Sequence, residues 1–183
     1  MEGRSGLIGQ KLQNLLSEPL NRDCLVRALY NGRGDTVGIV DVGSKPILER
    51  EATATGFIRL SKEAIDSVIT GNSPKGDVRG ASTISAIQAV KETPRTLPHC
   101  HPIPIEGCNV EWEVLEGELH CTVTVRTHWT TGVEMEALCG VSAGLLCAWD
   151  MLKPIEKDED GQYPTVSIEG IRVLRKKKSH PQG

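Results

Sequence analysis

Aromatic side chains are nearly absent from this 183-residue chain, which has one Phe, two Tyr and three Trp, 3% of the total. A surface that binds single-stranded nucleic acid by stacking needs exposed rings in a pattern, and no such pattern exists here. Charge of one sign is also lacking. Lys and Arg number 21 against 24 Asp and Glu, a net charge of −3, so bulk electrostatics argue for neither nucleic acid nor a membrane surface. No run of 18 apolar residues is present, which excludes a recognisable bilayer-spanning helix. Six cysteines occur, at Cys24, Cys100, Cys108, Cys121, Cys139 and Cys147, but no Cys-x-x-Cys pair. The opening Met1-Glu2-Gly3 is not followed by the apolar stretch of a secretory signal. The thiols are therefore read as reduced, in a cytoplasmic protein, most of them acting as small hydrophobes.

What is present is enough apolar material for one core, 38% of residues, drawn from Ile, Leu, Val, Ala and Gly. Residues 7–30 place Leu and Ile at roughly helical spacing, broken by Pro19, and Gly32, Gly34 and Asp35 mark a turn. Residues 37–42 read as a short apolar strand and 52–60 as a second strand. Ser61 is an N-cap for a short helix that Gly71 stops. Asp77 caps the next helix, with Val78, Ala81, Ile84, Ile87 and Val90 on one face and Pro94 as its end. Pro98, Pro102 and Pro104 make residues 97–105 extended. Residues 110–115 and 119–128 form a hairpin around Glu116-Gly117, with Leu119, Cys121, Val123 and Val125 on one side. A long helix follows over 133–153, then a strand over 165–174 and a frayed basic tail over 175–178. With the first strand and short helix set aside, the order is strand, helix, strand, strand, helix, strand. That is an α+β, ferredoxin-like split βαβ arrangement, an antiparallel sheet with helices on one face. The expected organisation is an N-terminal extension over 1–33, a domain over 34–178 and a tail over 179–183.

Four clusters could carry chemistry. Lys75 precedes a helix start, where free N–H groups and the helix dipole favour an anion, although a solvated lysine needs no such role. His99, Cys100 and His101 are held by a proline-stiffened backbone, which suits hydrogen bonding to a polar heterocycle or phosphate. Structural zinc would need a second, spaced pair of ligands, so no metal is expected. Glu134 and Glu136 open the long helix, where the dipole alone would favour them. At about 100° per residue, however, Glu136, Gly140, Ala143, Cys147 and Asp150 share a stripe of small residues with carboxylates at both ends. Asp150 and Lys153 lie one turn apart, as a surface ion pair or as a pair tuned for proton transfer. Glu136 and Asp150 are 14 positions apart, about 21 Å at ~1.5 Å per residue, so one chain cannot bring both to one atom. A site between copies of a homo-oligomer is the expectation.

Together these runs resemble the signature segments of the cyclic pyranopterin monophosphate synthase family, the C protein of molybdenum-cofactor biosynthesis. They are Lys75-Gly76-Asp77-Val78, Leu97-Pro98-His99-Cys100-His101-Pro102, Thr131-Gly132-Val133-Glu134-Met135-Glu136-Ala137-Leu138 and Trp149-Asp150-Met151-Leu152-Lys153. Asp41-Val42 and Arg50-Glu51-Ala52 are similar to its first strands, and the likeness runs from residue 40 to 176. The resemblance implies conversion of 3′,8-cyclo-7,8-dihydroguanosine 5′-triphosphate to cyclic pyranopterin monophosphate and pyrophosphate. It implies no cofactor and a hexamer, a trimer of dimers, with sites between subunits. It implies catalytic roles for Asp150, Lys75 and Lys153, and substrate contacts for His99, Cys100, His101, Met135, Glu136, Glu134 and Arg50. Four positions depart from the pattern. His99 replaces an apolar residue, Thr130 a lysine, and Cys139-Gly140 a Thr-Ala type pair. A pure binding module of the same fold would not require Lys75, Asp150 and Lys153 together.

Overall fold

The structure, a computed structural model, describes residues 38–179. The helices and turn expected before residue 37 lie outside the described residues. Seven elements follow in order: β1 (Leu48–Arg59), α1 (Lys62–Thr70), α2 (Val78–Thr96), β2 (Gly107–Leu115), β3 (Glu118–Trp129), α3 (Glu134–Glu156) and β4 (Ser167–Ser179). The strands pair antiparallel in the order β2-β3-β1-β4. With α1 set aside, this is the split βαβ topology expected from the sequence.

Alternation decides which side of the sheet is covered. Ala52, Ala54 and Ile58 of β1 and Leu119, Cys121, Val123 and Val125 of β3 point into one core with Val90 of α2 and Ala137, Val141, Leu145, Ala148 and Leu152 of α3. The other face carries polar cross-strand pairs: Thr53 with Thr124 at 3.0 Å, Thr55 with Thr122 at 3.1 Å, and Phe57 stacked on His120 at 5.0 Å. By length and composition α3 could cross a bilayer, but half of its apolar window is buried in this core.

The two long helices meet closely. A Cβ added to Gly140 would lie 2.8 Å from the Val90 side chain, and one added to Gly144 would lie 3.4 Å from Cβ of Ala86. The close approach foreseen for the small residues of α3 is thus met, at these two glycines, by α2 of the same chain. This contact also corrects the face expected for α2. Val78, Ser82, Ala86, Val90 and Thr93 are buried, whereas Ile84 is exposed. A helix lying against glycines admits Ala and Ser where Ile would hold the axes apart.

Four further expectations are corrected. Pro94 does not end α2, which runs to Thr96. Proline at this position leaves the carbonyl of Val90 without its helical donor, and the Thr93 hydroxyl supplies one at 3.2 Å. Residues 38–42 form no strand. β1 is already paired on both sides, and this segment turns instead, with Asp41 Oδ1 accepting from Gly43 N at 2.8 Å. Residues 175–178 are not frayed. β4 continues to Ser179 in register with β1, and Arg175 donates to Glu51 across the ladder at 2.9 Å. Residues 97–100 turn, with Cys100 N donating to Leu97 O at 2.9 Å, before the chain extends.

Glu156 ends α3 as a buried carboxylate. It accepts from Ser61 N at 2.8 Å, Ser61 Oγ at 3.0 Å and Thr165 Oγ1 at 3.1 Å, tying α3 to the cap of α1 and the approach to β4. Hydrogen bonds to a buried charge contribute more than neutral ones. Glu156→Ala is expected to cost about 2 kcal/mol in denaturant unfolding, while the exposed Glu159→Ala leaves the midpoint unchanged.

Candidate active site

α3 carries predicted residues at both of its ends. At the C-terminal end, Asp150 and Lys153 stand on successive turns. Lys75 reaches them from the loop between α1 and α2. That loop is built by Gly71, which ends α1 at φ +73°, by Gly76 at φ +93°, and by Asp77, whose Oδ1 accepts from Gly80 N at 3.0 Å to start α2. The two lysines hold opposite oxygens of one carboxylate. Lys75 Nζ lies 2.9 Å from Oδ2 and Lys153 Nζ 3.0 Å from Oδ1, and Lys75 also donates to the Asp150 carbonyl at 2.7 Å. All three side chains are roughly half exposed. As surface ion pairs they add little stability. Hydrogen bonds from Lys75 and then Lys153 hold the Asp150 carboxyl below the usual carboxylate range. The bond to Asp150 pushes the Lys153 ammonium above the usual lysine value. At neutral pH Asp150 is therefore a carboxylate and Lys153 an ammonium.

At the other end of α3 a cleft of about 450 Å³ is lined by His99, Cys100, His101, Glu134, Met135 and Glu136. Val40, Lys45 and Gly132 complete its wall. His101 Nε2 sits 2.8 Å from the Val40 carbonyl, which fixes the ring. Burial raises the Glu136 carboxyl, so this acid takes a proton more readily than a surface glutamate. Burial also pushes up the Cys100 thiol, and the nearby Glu136 and Cys139 act in the same direction. Cys100 is thus a neutral thiol rather than a nucleophile at neutral pH. Among the described residues no three His, Cys, Asp or Glu side chains are grouped to hold a metal ion.

A second cleft of about 420 Å³ adjoins the first and shares Lys45, Thr131, Gly132 and Glu134 with it. Arg50, Lys176, Lys177 and Lys178 also line it, against the carboxylates of Glu51 and Glu134. Arg50 is braced on the carbonyls of Trp129 at 3.4 Å and Thr130 at 3.2 Å, and Lys176 meets Glu134 at 3.1 Å. The excess of cations suits a polyanion. Lys45 and the three C-terminal lysines were missed from sequence. Lys45 lies in an unremarkable turn, and the lysine run becomes part of a site only because β4 pairs with β1 beyond residue 174.

The structure therefore brings the predicted residues together in two groups, not one. His99, Cys100, His101, Glu134, Met135, Glu136 and Arg50 gather around the start of α3. Lys75, Asp150 and Lys153 gather at its end and line neither of these clefts. A further cleft of about 530 Å³, on the polar sheet face beside Thr55, Phe57, His120 and Arg172, contains none of them.

A family model described as the MoaC family matches residues 39–179. A protein of Thermococcus kodakarensis named "Probable cyclic pyranopterin monophosphate synthase" is 49% identical over 142 residues, 78% of this chain and 91% of its own. A protein of the same name from Sulfolobus acidocaldarius is 48% identical, covering 78% of this chain and 99% of its own. One from Methanothermobacter thermautotrophicus, named "Probable cyclic pyranopterin monophosphate synthase accessory protein", is 48% identical over 78% of this chain and 89% of its own. The matched stretch spans every element from β1 to β4 and both residue groups at the ends of α3, and the chain belongs to the MoaC family.

Proposed function

We propose that this chain is a cyclic pyranopterin monophosphate synthase, a lyase of molybdenum-cofactor biosynthesis. It converts 3′,8-cyclo-7,8-dihydroguanosine 5′-triphosphate to cyclic pyranopterin monophosphate with departure of pyrophosphate. The observation that supports this most directly is the pair of lysines on opposite oxygens of Asp150. The reaction opens a guanine-derived ring, rebuilds it as a pterin, and closes a cyclic phosphate by attack of an oxygen on the α-phosphorus. Those steps need proton donors and acceptors at several atoms, and cations on a polyphosphate.

The residues divide accordingly. Lys153, held protonated by Asp150, is a proton donor and an anion contact. Lys75 is its counterpart on the other carboxylate oxygen. The cationic cleft with Arg50 holds phosphate. His99, Cys100, His101, Met135, Glu134 and Glu136 surround the heterocycle, where a readily protonated Glu136 can pass a proton. No cofactor is required by this scheme. Residues 34–178 form the catalytic domain of a cytoplasmic homo-oligomer, a hexamer built as a trimer of dimers, whose site is completed between copies.

Lys75→Ala and Asp150→Asn should each lower turnover on the order of 100-fold or more with an unchanged unfolding midpoint; near wild-type rates in either would contradict these roles. Asp150→Asn removes the anion that raises Lys153. Activity that depends on the protonated lysine is then lost at lower pH, so the alkaline limb of the residual kcat/KM profile should move down. Incubation with the cyclised nucleotide should yield the cyclic pterin phosphate by mass analysis. Equal pyrophosphate release from plain GTP would point to a different reaction.

A further inference from the structure

His101 lines the cleft at the start of α3, and it is held from two sides. Along the chain, Pro98 and Pro102 stiffen the run that carries it, and Cys100 N donates to Leu97 O at 2.9 Å. Across the fold, ring Nε2 lies 2.8 Å from the Val40 carbonyl, 61 positions away in the chain. A carbonyl oxygen can only accept, so Nε2 carries the proton of this bond. In the neutral ring Nδ1 is then the bare nitrogen, an acceptor. Among the described residues no hydrogen-bond partner reaches Nδ1.

The turn that follows Val40 decides where its carbonyl points. That carbonyl and the Asp41 nitrogen belong to one planar peptide unit, so the conformation of Asp41 aims the oxygen. Asp41 is set by its own side chain, whose Oδ1 accepts from Gly43 N at 2.8 Å in an Asx turn. Lys45 N closes the next turn on Val42 O at 3.1 Å, and Pro46 bars a helical continuation before β1 begins. Asp41 is exposed and lines none of the three clefts described above. Its one hydrogen bond is spent on the shape of the turn.

We propose that Asp41 is a positioning residue for His101. Its turn aims the Val40 carbonyl, the carbonyl keeps the ring proton on Nε2, and Nδ1 is left to accept a hydrogen bond from an N–H of the bound heterocycle. The nature of that ligand, a guanine-derived ring with several N–H donors, rests on the functional reading. What is added is the nitrogen of His101 that meets it and the residue outside the clefts that selects this nitrogen. The opposite tautomer would set an N–H against the N–H of the ligand, and two donors repel. The turn therefore discriminates as well as orients. A heterocycle with an N–H at this place is accepted, and one with a bare ring nitrogen there finds no donor.

The first test needs no substrate. In the full chain, isotopically labelled at histidine nitrogen and held in alkaline buffer where imidazole is neutral, the His101 resonances should place the proton on Nε2. The His101→Gln spectrum identifies them among the five histidines. A proton on Nδ1, or free exchange between the two nitrogens, would overturn the proposal. Asp41→Ala should keep the unfolding midpoint, move His101 toward a mixture of tautomers and lower kcat/KM about tenfold. Asp41→Asn, which retains an oxygen for Gly43 N, should restore both. Wild-type resonances and turnover in Asp41→Ala, or an Asp41→Asn protein impaired as much as Asp41→Ala, would refute the positioning role. Two amides then separate the ring nitrogens. His101→Asn sets its side-chain oxygen near the place of Nδ1 and should bind the cyclised nucleotide about tenfold more tightly than His101→Gln, which reaches toward Val40 instead. The reverse order would put the ligand contact on Nε2 and sink the assignment. If the wild type were inert on the cyclised nucleotide, the resonances of wild type and Asp41→Ala would still decide the tautomer and the turn, and the functional reading alone would fall.

Discussion

The structure depends on how one helix lies across one sheet. α3 buries Val141, Leu145, Ala148 and Leu152 against the covered faces of β1 and β3, and the valine and two leucines contribute about 1.5–3 kcal/mol each when fully buried. Its side toward α2 is reduced to glycine at 140 and 144, so the two helices pack nearly backbone to backbone. With aromatics so scarce, closeness replaces bulk as the means of filling the core. The consequence for function is positional. A rigid rod of 23 residues carries reactive groups at both ends and holds them apart.

The surrounding elements serve those two ends differently. At the C-terminal end the constraint is electrostatic and exposed: two lysines share one carboxylate, which their hydrogen bonds hold below the usual carboxylate range. Glu156, just beyond, anchors that end by capping α1, and α1 in turn leads into the loop that carries Lys75. At the N-terminal end the constraint is burial. It shifts Glu136 and Cys100 toward their neutral forms, while the cations of the adjoining cleft stay exposed. The two ends of α3 thus offer different environments, one charged and exposed, the other partly buried.

Much of this was readable in the residue order. The alternation in β3, the Glu116-Gly117 turn, the Ser61 and Asp77 caps and the Gly71 stop are local signals that depend on neighbours in the chain, and each appears where expected. The order of strands and helices followed from them, as did the motif residues. Three of the misreadings share a cause. The buried face of α2, the fate of residues 38–42 and the ordering of residues 175–178 all depend on a partner distant in sequence: α3 for the first, a free sheet edge for the second, β1 for the third.

Local pattern by itself therefore determined the element types and the topology class, because caps, turns and periodicity act over a few residues, while the candidate site residues were marked by the motif runs that carry the family resemblance. Tertiary structure alone decided their grouping. Lys75 meets Asp150 only because α1 and its loop fold back to the end of α3, and Lys176 to Lys178 reach the basic cleft only because β4 is held along β1 to its last residue. Such contacts join positions far apart in the chain, and no short-range propensity encodes them.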